Sequence, residues 1–123
     1  MKKILVVDDE QDILKVVEMR LKVSGYQTVS AADGQEALEK IRTEKPDLVI
    51  LDLMLPKING YEVCRMAKFD DKTKHIPIII LSALHEQKER EKAMACGAES
   101  YFLKPFDFDL LLFKIKTLLN ESV

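Results

Sequence analysis

Between Pro46 and the Pro56–Gly60 cluster, the run Leu-Val-Ile-Leu-Asp-Leu-Met-Leu (48–55) holds a single polar residue, Asp52. A continuous apolar run bounded by turn-forming residues predicts a strand covered on both faces, the environment of a parallel sheet flanked by helices. An ionised carboxylate there is costly unless it is paired, bound to a metal, or placed at the strand's open carboxyl end. Asp52 comes late in the run, where open α/β sheets carry their ligands. It is therefore either the centre of a site or the start of the turn toward Lys57, since aspartate is also a common turn residue.

The same punctuation recurs along the chain. Ile4–Val7 is an apolar run ending in Asp8-Asp9-Glu10. From about Gln11, Ile13, Leu14, Val17 and Leu21 then recur at helical spacing until Ser24-Gly25. Tyr26–Ala31 alternates loosely as a second strand, Asp33-Gly34 marks a turn or cap, and Ala37, Leu38 and Ile41 mark a second helix. Leu48–Leu51 is the third strand. Past the Pro56–Gly60 loop, Tyr61, Val63, Cys64, Met66 and Ala67 predict a short helix, and Asp70–Lys74 a polar connection. Pro77 introduces a fourth strand, Ile78–Leu81, ending at Ser82-Ala83. Glu86–Ala95 predicts a weakly amphipathic helix closed by Gly97, Ser100–Leu103 a fifth strand ending at Lys104-Pro105, and Phe106–Asn120 a last helix. This alternation over short links predicts a doubly wound α/β domain with a parallel five-stranded sheet and helices on both faces.

In such a sheet all carboxyl ends lie along one edge, so Asp8-Asp9, Asp52, Ser82 and Lys104 would share one pocket. Clustered carboxylates raise one another's pKa unless a cation joins them, which asks for a metal. An all-oxygen site with room for water suits Mg²⁺, or Mn²⁺, better than zinc. Ser82 and Lys104 supply a donor and a cation suited to phosphoryl oxygens, leaving Asp52 as a carboxylate nucleophile. Taken singly, each residue has a plainer role. Asp8-Asp9-Glu10 could cap and acidify a helix start, Lys104 could be a loop lysine, Ser82 a cap, and Tyr101 a partly buried strand residue.

Taken together, Leu-Val-Val-Asp8-Asp9-Glu10, Leu-Val-Ile-Leu-Asp52-Leu-Met-Leu-Pro56 with Asn59-Gly60, Leu81-Ser82-Ala83, and Gly97-Ala98 followed by Tyr101 and Phe102-Leu-Lys104-Pro105-Phe106 resemble the receiver domain of two-component response regulators, including the single-domain chemotaxis kind. The resemblance covers essentially all of residues 1–123 and implies a flavodoxin-like (βα)5 fold with strand order 2-1-3-4-5. It implies that Asp52 is the phosphoacceptor for a histidine kinase or histidine phosphotransfer protein. It also implies that Asp9, supported by Asp8, joins Asp52 and the Met54 carbonyl around Mg²⁺. Ser82 would hydrogen-bond the phosphoryl group and Lys104 would neutralise it. Tyr101 would be the switch aromatic that turns inward as Ser82 moves, and Lys104-Pro105 a cis peptide. Such a protein catalyses only its own phosphorylation and dephosphorylation, and its rearrangement changes the binding of a downstream target or output domain.

The remaining features bound the partners. A formal charge of −2, with Lys and Arg dispersed among Asp and Glu, gives no electrostatic case for direct nucleic-acid or anionic-membrane binding. No segment approaches the roughly 18 apolar residues of a membrane span, and Ile4–Val7 is too short for a signal peptide; a cytoplasmic protein is expected. Cys64 and Cys96 are unclustered, so inert structural thiols are expected, as are methionines filling the core. In the last helix Leu110-Leu111-Leu112-Phe113 cannot all face inward. With Leu111, Ile115 and Leu118 toward the sheet, Leu110 and Phe113 form a partner surface, through which a phosphorylation-linked homodimer could form. A turnover phosphatase would want an acid where Met54 stands, and a flavin carrier would be repelled by Asp8-Asp9. The rivals that keep the fold are a phosphate-independent pseudo-receiver and the receiver fragment of a DNA-binding response regulator.

Overall fold

The computed structural model describes residues 1–122; residue 123, the expected end of the domain, lies outside the described residues. Strands and helices alternate as β1 (Lys3–Val7), α1 (Gln11–Val23), β2 (Gln27–Ala31), α2 (Gly34–Glu44), β3 (Leu48–Asp52), α3 (Gly60–Phe69), β4 (Ile78–Ser82), α4 (Gln87–Ala95), β5 (Ser100–Leu103) and α5 (Phe108–Leu118). All pairings are parallel and the order is β2-β1-β3-β4-β5. The expected doubly wound sheet is the observed one.

The period-two alternation of each central strand divides the core into two layers. Leu5, Val7, Val49, Leu51, Ile78 and Ile80 point to the side covered by α2, α3 and α4, where Leu38, Ile41, Val63 and Ala93 meet them. Ile4, Val6, Leu48, Ile50, Ile79 and Leu81 point to the other side, against Leu14, Val17 and Leu21 of α1 and Leu111 and Ile115 of α5. β3 and β4 are buried at every position. That explains why their sequences are unbroken apolar runs and not alternating ones.

Side chains set several helix starts. Asp33 Oδ1 accepts from the Glu36 N–H at 2.8 Å, Asn59 Oδ1 from Glu62 N–H at 3.1 Å, and Asp107 Oδ1 from Asp109 N–H at 2.9 Å. Caps of this kind contribute about 1 kcal/mol each. The Asp107 cap starts the last helix at Phe108, two residues later than its apolar pattern suggests. Tyr26 also departs from expectation, lying before β2, 4% exposed in the α1–α5 layer.

The methionines do not fill the core: Met1, Met19, Met54, Met66 and Met94 are all exposed, from 39% to 91%. Ile, Leu and Val close-pack both layers, which leaves no irregular gap for a flexible thioether. α4 is the least embedded helix, with Ala93 its one buried residue. Two contacts to α3 hold it from outside: the Tyr61 hydroxyl donates to Glu89, and Lys92 Nζ lies 4.2 Å from the Tyr61 ring centroid.

Cys64 is buried in the α3 layer with its Sγ 3.5 Å from the Cys96 carbonyl, and both thiols are free. Burial pushes the Cys64 thiol up to about 12. Because the folded value is raised, the stability tied to this neutral thiol is complete below the ordinary thiol range and is lost as pH climbs through it toward 12. A thiol-exchange reagent at pH 8 should therefore titrate Cys96 alone in the native chain and both cysteines after unfolding; prompt reaction of two thiols in the native state would contradict the packing of α3.

Candidate phosphoacceptor site

At the carboxyl edge of the sheet, β1, β3, β4 and β5 deliver Asp8, Asp52, Ser82 and Lys104 to one place. Asp8 and Asp52 are 3% and 4% exposed. Lys104 Nζ lies 2.8 Å from Asp8 Oδ2 and 3.3 Å from Asp52 Oδ2, with Glu10 Oε1 at 3.6 Å on the outer side. Carboxylate oxygens of Asp8, Glu10 and Asp52 lie within 4.8 Å of one another. Three carboxylates against one ammonium leave two negative charges in a partly buried pocket of oxygen donors. Those are the charge and donor set that a hard divalent cation satisfies.

The electrostatics follow from burial. Desolvation raises the Asp52 carboxyl above the ordinary carboxylate value; Lys104 opposes this, Asp8 adds to it, and the Met54 N–H at 3.2 Å from Oδ1 again lowers it. Desolvation pulls Lys104 down, but the hydrogen bond to Asp8 and the charges of Asp52 and Asp8 outweigh it, and the net shift is upward. Lys104 therefore remains a cation while Asp52 is held as a poorly solvated anion.

Backbone contacts fix these positions. Asp8 Oδ1 accepts from Glu10 N–H at 2.9 Å, turning the chain into α1. Lys104 N–H donates to the Ser82 carbonyl at 2.8 Å, and the Lys104–Pro105 bond is cis. Below Asp52, Gly60 N–H donates to the Leu53 carbonyl at 2.9 Å. A Cβ on Gly60 would lie 2.3 Å from the Asp52 carbonyl oxygen, and one on Gly34 would lie 1.7 Å from the Ile58 carbonyl oxygen. Only hydrogen fits at either position, so the loop 53–59 is clamped between the starts of α2 and α3.

Ser82 is fully buried and its Oγ accepts from Leu84 N–H at 3.0 Å. Tyr101 is inward, 5% exposed, and its hydroxyl donates to the Leu84 carbonyl at 2.8 Å. Arg90 lies 5.6 Å from the Tyr101 ring centroid. The single residue Leu84 thus bridges Ser82 and Tyr101 through its two backbone groups.

Not every expected residue joins the cluster. Asp9 is exposed, and the acid grouped with Asp8 and Asp52 is Glu10 instead. Met54 turns its side chain outward, 62% exposed, and its N–H toward Asp52. Glu10 was legible only as a helix-start residue, and Leu84 carried no chemical signal because it acts through its backbone. Leu110 and Phe113 are 61% and 55% exposed on α5, so neither is buried against its own chain.

The model of the response regulator receiver domain matches residues 4–116. The chain belongs to that family. Among relatives of this receiver, the Bacillus subtilis alkaline phosphatase synthesis transcriptional regulatory protein PhoP is 42% identical over 98% of this chain and 50% of that protein. The Synechocystis DNA-binding dual master transcriptional regulator RpaA is 35% identical over 99% of this chain and 51% of that protein. The receiver thus spans about half the length of the curated relatives it matches.

Among solved structures, the Francisella response regulator 1452 receiver domain is similar at a TM-score of 0.91, with 30% identity and 98% of each chain covered. The Vibrio cholerae chemotaxis protein CheY4 is similar at 0.89, with 31% identity over 96% of this chain and 98% of that one. Receiver domains are signalling proteins that interact with histidine kinases and output domains. Among the described residues no helix is long and apolar enough to cross a membrane.

Two variants test how the pocket is held together. Replacing Lys104 by Met leaves two buried carboxylates without their cation and should cost about 3 kcal/mol in urea unfolding at pH 7 with EDTA. The cost should shrink as pH falls and the carboxylates protonate, and adding Asp52→Asn should recover part of it. An equal cost at every pH would refute the charge argument. Gly60→Ala should cost about 2 kcal/mol by overpacking, whereas a neutral result would mean that α3 can move away from Asp52.

Proposed function

We propose that residues 1–123 form one receiver domain and act as a phosphorylation switch, with Asp52 accepting a phosphoryl group from a histidine kinase or histidine phosphotransfer protein. The observation that carries this reading is the setting of Asp52: a buried carboxylate at the end of β3, with a lysine ammonium 3.3 Å away and acidic neighbours that leave net negative charge. A buried ion pair alone would need no excess acid. Asp9, from the rim and with Asp8 supporting it, together with Asp52 and the Met54 carbonyl would hold Mg²⁺ or Mn²⁺. When bound, the ion supplies charge neutralisation at the phosphoryl oxygens.

This chain's own groups supply the rest. An Asp52 carboxylate oxygen forms the new bond to phosphorus as the phosphorus–nitrogen bond of the donor phosphohistidine breaks. The electron pair of that bond returns to the imidazole. Lys104, kept protonated by Asp8, stabilises charge on the transferring group. The loop 53–59, clamped at Gly34 and Gly60, keeps Asp52 from retreating. Water later hydrolyses the acyl phosphate, so the chain turns over only its own modification and acts on no separate substrate.

The switch runs through Leu84. When Ser82 Oγ turns to the phosphoryl oxygens, it leaves the Leu84 N–H, and the Leu84 carbonyl that holds Tyr101 moves with it. Phosphorylation thereby biases the inward and outward positions of Tyr101. The exposed Leu110 and Phe113 on α5 are the surface through which a downstream target, or a second copy, reads the change. A second reading places this cytoplasmic receiver ahead of a DNA-binding output domain. It is favoured because the relatives PhoP and RpaA are named as transcriptional regulators and are about twice its length.

Native mass spectrometry of the wild type and Asp52→Asn, incubated with acetyl phosphate with and without Mg²⁺, tests the assignment. One phosphoryl adduct that needs both Asp52 and Mg²⁺ is expected. Asp9→Asn should raise the Mg²⁺ required for half-maximal labelling about tenfold. No adduct under any condition would leave a phosphate-independent pseudo-receiver as the better reading.

A further inference from the structure

At the sheet edge opposite Asp52, a cavity of about 480 Å³ opens between the end of α2, the start of β3 and the loop joining α3 to β4. β3 alone separates the two edges by roughly 13 Å at about 3.3 Å per residue, so this cavity is no part of the phosphoacceptor pocket. Its size is within the range of small-molecule sites. Its floor is apolar and fully formed: Ile41 and Ile76 are 1% and 3% exposed, Pro46 is buried, and Thr73 is 5% exposed.

The wall is preorganised. Thr73 Oγ1 donates to the Ala67 carbonyl at 2.7 Å, Ile76 N–H to the Thr73 carbonyl at 3.0 Å, and Lys68 Nζ to the Ile76 carbonyl at 2.7 Å. Around this floor stands a rim of Arg42, Lys45 and Lys72. Lys45 takes a left-handed backbone, φ 47°, at the C-cap of α2, where glycine would carry no steric penalty.

None of the three rim cations has a paired carboxylate among the described residues. The acids nearby are engaged elsewhere: Glu44 with Lys3 at 3.1 Å, Asp71 with Lys74 at 3.0 Å, and Asp70 Oδ1 with the Lys72 N–H at 2.9 Å. The carboxyl ends of α2 and α3 each contribute about half a negative charge. Set against three cations and Asp70, they leave the cavity mouth with roughly one positive charge. That balance fits one anionic group on an apolar body and disfavours a polyphosphate.

We infer that this cavity is a second ligand site, taking a small amphiphilic monoanion, an aryl or short acyl group bearing a single carboxylate, sulfonate or phosphate diester. The apolar body lies on Ile41, Pro46 and Ile76, and the anion faces Arg42, Lys45 and Lys72. The site is independent of whether Asp52 is phosphorylated.

The test titrates 8-anilinonaphthalene-1-sulfonate into the full chain carrying methyl-labelled isoleucine, leucine and valine, with the uncharged N-phenyl-1-naphthylamine as a matched probe. Saturable shifts at the Ile41 and Ile76 methyls are expected for the sulfonate. Its affinity should fall with added salt and drop about tenfold in Arg42→Glu/Lys72→Glu, but not in Lys15→Glu on α1. Because the salt series uses the wild type, the proposal stays testable if the double variant folds poorly. Equal affinity for the neutral probe, shifts confined to the exposed apolar residues of α1 or α5, or salt-independent binding would each overturn it.

Discussion

The rest of the molecule is arranged around one ammonium group. Lys104 Nζ lies 2.8 Å from Asp8 and 3.3 Å from Asp52, two carboxylates almost without solvent. Removing Lys104 leaves the two carboxylates in each other's unfavourable field, since burial and Asp8 both raise the Asp52 carboxyl and Lys104 opposes them. Such a cluster is weak evidence for stability, because a well-packed apolar substitute would commonly hold the fold as well or better. Its presence fits the proposed chemistry better: a poorly solvated carboxylate beside a cation, in a pocket whose excess acid would suit a divalent metal.

Topology is what allows three residues so distant in sequence to meet. Parallel strands with helical crossovers place every carboxyl end on one edge, and β1 and β3 are neighbours at the switch point of the order 2-1-3-4-5. The two flanking layers are therefore more than insulation. They bury β3 and β4 at every position, so the polar ends of those strands can only project upward into the site. The backbone of loop 53–59, pressed against Gly34 and Gly60, converts that projection into a fixed position for Asp52.

The frame and the acidic pocket were legible because they rest on patterns with strong physical causes. Buried strands must be apolar, so Asp52 stood out in 48–55, and a parallel sheet carried Asp8, Ser82 and Lys104 to the same edge. What escaped depends on geometry finer than composition. Glu10 joins the cluster because the Asp8 turn aims it at Lys104, while Asp9, one residue earlier, is left in solvent. Tyr26 looked like strand but serves as a core plug at the end of α1. The methionines looked like filler, yet branched side chains had already filled both layers. The second cavity gives no sequence signal at all, since Arg42 and Lys45 at the end of α2 and Lys72 in the α3–β4 connection are far apart in sequence and look like ordinary surface charge.

Sparse packing of α4 and the site's backbone relay belong to one design problem. The proposed switch would need an element whose two positions differ by only a few kcal/mol, and a helix with one buried residue suits that requirement better than α1, with three. Its outer ties, Tyr61 to Glu89 and Lys92 to the Tyr61 ring, are surface interactions that can re-form after a small shift. The Leu84 backbone sits between the buried Ser82 and Tyr101 of β5, with one hydrogen bond to each. Each such bond is worth about 1 kcal/mol net, comparable to the energy gap that has to be tipped. In the proposed switch, a local change at Ser82 would need no long mechanical path to reach Tyr101; it would need only to exchange one bond of that size for another.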